Sequence, residues 1–320
     1  MSHELDIDSE HDNAYTGLAD GGSVIDHGHW AFGDGQEYVA GEDLLGAVDA
    51  PAPYGVDAAD LARYALMLGD DALVMSNRLA EWCSNAPDLE DDIALANIAL
   101  DLLGQARLLL ARAAALDPAL VPALPEGSPV PGEDALAFFR EAHDFRNVRL
   151  AELPRGDFAE VVTRIVLFAT WRLALLEELR SSTDPILAAV AAKGVKEVAY
   201  HRDYAARWFL TLAQGTAESA RRLDAALHDL WPLWPELFDT HEVERRVAEG
   251  GTGVDPASVR QAAEGVLDEV LRVSQVVRPE PALLAGVRGR TGRDGLHTEA
   301  LSRMLDEMQS VARQHPMGRW

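Results

Sequence analysis

Residues 58–115 read AADLARYALMLGDDALVMSNRLAEWCSNAPDLEDDIALANIALDLLGQARLLLARAAA, and their spacing decides the fold. Apolar residues recur at three- and four-residue steps on both sides of one break, Asn85-Ala86-Pro87. That period belongs to amphipathic helices and not to the two-residue alternation of a strand. The pattern predicts a first helix over Ala58–Ser84, with Leu61, Leu66, Leu73, Leu79 and Trp82 on apolar faces. A second, Leu89–Ala115, opens behind Asp88 with Glu90, Asp91 and Asp92 in its first turn, where carboxylates meet the positive end of the helix dipole. Two helices joined this tightly make an antiparallel hairpin.

Downstream, Asp117–Gly132 carries five prolines and two glycines and reads as a loop. A short helix over Glu133–His143 and a long one over Asp157–Ser181 follow. Asp184-Pro185 then supplies an N-cap and a proline at the first helical position of a helix running to Ala213. Further helical periods cover Ala217–Leu230, Thr240–Glu249, Pro256–Val276 and Thr298–Gln314, and no stretch alternates like a strand. Four long helices in two hairpins with a long crossover between them predict an all-α, ferritin-like four-helix bundle with additional C-terminal helices.

Such bundles often hold two irons, through one carboxylate from each of two helices and a Glu-x-x-His from each of the other two. Three residues before the histidines stand Asp8, Val24, Asp26, Arg140, Val198, Ala225, Phe238, Asp294 and Ala312, with His3 too near the terminus, so Glu-x-x-His does not occur. Glu197 and His201 come nearest, at a spacing of four. We therefore expect no catalytic, cofactor-binding or metal-ligating residue in this chain. Polar rows nevertheless run along the helices: Asn97, Asp101 and Gln105 on the second, and Lys193, Glu197, His201 and Tyr204 on the helix after Pro185, with Asn77 and Glu81 on the first able to face them. They read either as the remnant of a metal site, with Lys193 or an arginine replacing the metal's positive charge, or as an ordinary polar face.

The 320 residues carry a net charge of −25, which argues against nucleic acid or an anionic membrane as partner. Residues 1–57 hold 13 of the 53 acidic residues and no Lys or Arg, without apolar periodicity, and read as an acidic, disordered N-terminal extension ahead of a helical domain over 58–320. A metal-binding role for its four scattered histidines is the weaker reading. The single cysteine, Cys83, precludes an intrachain disulfide and reads as a buried small hydrophobe beside Trp82. The N-terminus lacks a signal-peptide pattern, and the longest apolar run noted, Ile165–Trp171, is too short to span a bilayer, so we expect a cytoplasmic protein. The basic, Gly-rich stretch Gly286–Gly295 reads as a turn, or as a contact for a phosphate-bearing ligand or an acidic partner.

Several separated segments carry a family resemblance: YALMLGDDALVMSNRLAEWC from Tyr64, DDIALANIALDLLGQAR from Asp91, KEVAYH from Lys196, LWPLWPELF from Leu230, GLHTEAL from Gly295, MLDEMQ from Met304 and the terminal Trp320. In this order they resemble the PaaC family of phenylacetyl-CoA epoxidase subunits, over essentially Ala58–Trp320. The resemblance implies a place in a multicomponent, NADPH- and O2-dependent monooxygenase of phenylacetate catabolism that converts phenylacetyl-CoA to its ring-1,2-epoxide. It implies a structural subunit without a cofactor of its own, partnered by a related catalytic subunit, PaaA, that holds the di-iron centre. The acidic segment before Ala58 departs from the family's usual start. The residues alone leave two other readings open, a self-sufficient metal-binding oxygenase and a helical interaction module unrelated to oxygenases.

Overall fold

Each long helix starts where a side chain can take up the first, otherwise orphaned, amide groups. Asp57 accepts from the amides of Ala59 and Asp60 to open α1 (Ala58–Ala80), and Asp88 from that of Asp91 to open α2 (Leu89–Leu116). Asp157 and Glu160 form a reciprocal capping box at α5 (Phe158–Leu179), and Asp184 accepts from Ile186 and Leu187 ahead of Pro185 at α6 (Pro185–Gln214). Between them lie the short α3 (Gly132–Phe138) and α4 (Arg149–Glu152). After them come α7 (Ala217–Leu230), α8 (Glu242–Glu249), α9 (Arg260–Ser274) and α10 (Glu299–Gln314). The computed structural model describes residues 45–280 and 289–318, and among these there is no β-strand.

The hairpins α1–α2 and α5–α6 make the most extensive contacts, and α2 packs on α6 to join them. The crossover, residues 117–157, carries α3 and α4, while α7 and α9 cover α5 and α6, α8 lies on α1 and α10 on α3. The core contains Leu61, Met67, Leu68, Met75, Leu79 and Trp171, each less than 2% exposed. Burying side chains of this size stabilises by roughly 1.5–3 kcal/mol apiece.

Buried arginines tie the irregular segments to this bundle. Arg112 of α2 pairs with Asp184 at 2.5 Å, both side chains being fully buried, so the cap of α6 also neutralises a guanidinium. Arg112 also donates to the carbonyls of Val48 and Ala50. The N-terminal extension expected over 1–57 lies outside the described residues as far as 44. Val48 and Ala50, within that segment, are held by Arg112, and Val48 is buried, so packing begins earlier than Ala58. Arg164 of α5 donates to the carbonyls of Leu153, Pro154 and Arg155, securing the end of the crossover.

Three expectations change. The first helix ends at Ala80 and not at Ser84; the following turn, closed by Ser84 at φ +65°, keeps Trp82 buried but turns Cys83 to the surface. Within Glu133–His143 the helix stops at Phe138 and a separate 3-10 turn spans Ala142–Asp144. Finally, α2 is long and apolar enough to cross a membrane by length and composition, and 56% of its most apolar 18-residue window is buried among other helices. It is apolar on two sides: Leu95, Ile98, Leu102 and Leu109 point into the bundle, whereas Leu89, Ile93, Leu100 and Leu103 are exposed.

Candidate functional site

The polar core of the bundle is built around Arg172, in the middle of α5 and 1% exposed. Its Nε donates to Gln105 Oε1 of α2 at 3.0 Å, and its terminal nitrogens lie 3.4–3.5 Å from the Leu68 carbonyl of α1. Gln105 Nε2 in turn donates to Glu197 Oε2 of α6 at 3.0 Å, and Glu197 Oε1 pairs with Lys193 at 3.2 Å. One chain of contacts thus crosses α1, α2, α5 and α6. Gly194 makes room for it, because a Cβ there would press on Leu176 and the Gln105 amide. Burial pulls the Arg172 guanidinium down to about 10, with Asp71 opposing the shift, so it stays charged at neutral pH.

Of the six candidate residues, Gln105, Glu197 and Lys193 belong to this chain, although the Lys193 side chain is 57% exposed and closes it from the solvent edge. Asp101 and His201 form a second link between α2 and α6, with His201 Nε2 2.9 Å from Asp101 Oδ2. Asn97 is exposed, on the outer face of α2, and takes no part. Tyr204 continues the row: its hydroxyl and the Trp208 indole each donate to Asp91 Oδ1 at 2.8 Å. Glu81 turns away from these residues to Arg78, 2.5 Å distant. Lys193 and Lys196 stand at the surface of α6.

Two metal ions in the bundle would need inward carboxylates and imidazoles from the four helices. The residues present do not fit that group. A permanently charged guanidinium and a neutral amide occupy the inward positions, and among the described residues no cluster of three or more His, Cys, Asp or Glu is placed to hold a metal. What the arrangement does chemically is lock four helices in one relative position.

A larger set of buried charges escaped the sequence reading. Asp70 of α1 accepts a bidentate pair from Arg140 and the amide of Arg146, while Asp71 accepts from Arg293 at 2.9 Å and from the amide of Val148 at 2.8 Å. Burial opposes the charge of Arg293, but Asp71 and Glu244 outweigh it and push its pKa up. Within the described part of the Gly-rich stretch, Thr291–Arg293 are thus committed inward, while Gly289 and Arg290 stay exposed. Gly292 donates its amide to Glu236, and any side chain there would collide with the Asn147 carbonyl. Glu152 accepts from Asn147, His297 and the Thr298 amide. The available signal was Asp70-Asp71 itself, two adjacent acids inside a helix whose neighbours are apolar on every side.

Residues 50–320 match the family described as phenylacetic acid catabolic protein. The chain is 42% identical over 265 residues to the C component of the 1,2-phenylacetyl-CoA epoxidase of Escherichia coli (strain K12), a match covering 81% of this chain and 99% of that protein.

Proposed function

The chain belongs to the ferritin-like phenylacetic acid catabolic protein family, and from that membership we propose that it is a non-catalytic structural subunit of a cytoplasmic phenylacetyl-CoA epoxidase. In this reading a related catalytic subunit of the PaaA type carries the di-iron centre, and this chain holds that subunit's helices in a productive arrangement. The observation that carries the proposal is Arg172, a buried cation bridging α1, α2 and α5 at the heart of the bundle. A guanidinium repels metal cations and supplies a fixed positive charge in their stead, linked to Glu197 through the Gln105 amide, which preserves the shape of the bundle without its redox chemistry. Fixed scaffolding of this kind matters because displacing catalytic groups by about 1 Å costs on the order of a hundredfold in rate.

The exposed leucines of α2 support a protein partner. Leu89, Ile93, Leu100 and Leu103 follow one another at steps of four, seven and three, so they share a single helical face, and they are 45–69% exposed. We assign that face to the catalytic subunit, a helical relative able to lay one of its own helices along it.

The test is to purify the chain alone and coexpressed with the catalytic subunit, then measure iron and ring epoxidation of phenylacetyl-CoA in each. Iron and activity confined to the coexpressed complex are the expected result. About two irons per isolated chain, the stoichiometry of a di-iron site, or full activity of the catalytic subunit without this chain, would refute the reading.

A further inference from the structure

A cavity of about 620 Å³ opens outside the four-helix core, between the first turns of α1, the crossover and the segment entering α8. Four arginines are among the residues that line it, Arg63, Arg140, Arg146 and Arg293. Arg140 and Arg293 are matched by Asp70 and Asp71, but these two carboxylates are fully buried behind the arginines and do not line the cavity. Arg146 is different. Its Nη1 donates to the carbonyls of His143 and Phe145, both at 2.7 Å, and among the described residues no carboxylate lies within ion-pair distance of it. Arg63, exposed at the mouth, has no hydrogen bond or ion pair among the described residues.

The two acids in the wall already have backbone partners. Asp144 accepts from the amide of Glu141 and Asp294 from that of Thr291. His241 adds a donor: its Nδ1 accepts the Val243 amide at 3.1 Å, so in the neutral ring the proton is on Nε2. That atom is 3.9 Å from Asp294, too far for a hydrogen bond, and is left to face the cavity. Burial, assisted by Arg293 and Arg146 against the opposing pull of Asp294, holds the ring below its ordinary pKa and hence neutral at pH 7. Burial likewise lowers Arg146, with Asp70, Asp144 and Asp294 opposing the shift. The rest of the wall is apolar, from Leu66, Val121, Pro122 and Phe139.

We propose that this cavity binds a small amphipathic organic anion, its carboxylate or phosphate held by Arg63, Arg146 and the His241 Nε2–H, and its hydrocarbon part lying against the apolar wall. The volume suits a molecule of a few to about twenty heavy atoms, within the roughly 300–1,000 Å³ of typical ligand sites. The site is independent of the structural role, since none of these residues takes part in the Arg172 chain.

The experiment is calorimetric titration of the full chain at low salt with benzoate, phenyl phosphate and uncharged benzyl alcohol, on wild type, Arg63→Met and Arg146→Met. Saturable one-to-one binding of benzoate or of phenyl phosphate, no binding of the alcohol, and a loss of about tenfold or more in either variant are expected, since each removes a charge-assisted hydrogen bond to the anion. Whichever anion binds identifies the head group as carboxylate or phosphate. Arg63 is at the surface, so its variant reports even if Arg146→Met unfolds. Absence of binding by both anions, equal binding of the alcohol, or an affinity untouched by Arg63→Met would overturn the proposal.

Discussion

Asp91 sits in the first turn of α2 with one oxygen accepting from Tyr204 and Trp208, while its other oxygen is buried without a hydrogen-bond partner. Burial raises its pKa, and the two donors only partly offset the shift. The folded chain therefore binds a proton at this site more tightly than the unfolded chain does. From the ordinary carboxylate pKa near ~4 up to the raised value, stability falls as the pH rises; below that window the penalty is absent, and above it the penalty is complete. Asp91→Asn keeps an acceptor for Tyr204 and Trp208 but does not titrate. It is expected to flatten the dependence of the urea midpoint on pH above the ordinary carboxylate range and to leave the midpoint at neutral pH no lower than wild type. An unchanged slope would show that Asp91 does not carry this dependence.

Helices were legible because their signals are local. Asp57, Asp88 and Asp184-Pro185 each mark a start within a few residues of the structure they impose, and the predicted starts of α1, α2 and α6 agree with the observed ones. Which face of a helix is buried is less local. On α2, Asn97 read as part of the inward row with Asp101 and Gln105, yet it lies among the exposed leucines; a helix apolar on two sides gives no single moment by which to orient it. On the proposed reading, that same ambiguity lets α2 serve the bundle with one side and a partner subunit with the other. Leu100→Glu combined with Leu103→Arg places charge on the outer face without touching Leu95, Ile98 or Leu102. Stability should change by no more than about 0.5 kcal/mol, the range of surface substitutions, whereas copurification of the catalytic subunit is lost. Retention of the complex at wild-type yield would move the interface to another face.

Over the whole molecule, the long-range ties were illegible for a physical reason. Arg293 and Asp71 are 222 residues apart, Arg140 and Asp70 are 70, and no periodicity links such partners. The adjacent acids of α1 act as a hub. Asp70 takes the crossover through Arg140 and the Arg146 amide, and Asp71 takes both the crossover, at the Val148 amide, and the C-terminal segment, at Arg293. Arg293 also donates to the Met67 and Arg146 carbonyls and pairs with Glu244, so one guanidinium touches α1, the crossover and α8. Arg293→Met would leave Asp71 and Glu244 buried without their cation, at a cost of about 3–5 kcal/mol. Arg293→Lys keeps the charge but not the bidentate geometry, and should fall between wild type and the Met variant. Urea unfolding ranks the three proteins, and hydrogen exchange locates the damage. Amides around 145–149 and 291–298 are expected to lose protection together in the Met variant, because both segments are anchored on the same carboxylate. Loss confined to 291–298 with the global stability of the wild type would instead mean that the crossover is held without the C-terminal segment, and that Asp71 is not a hub.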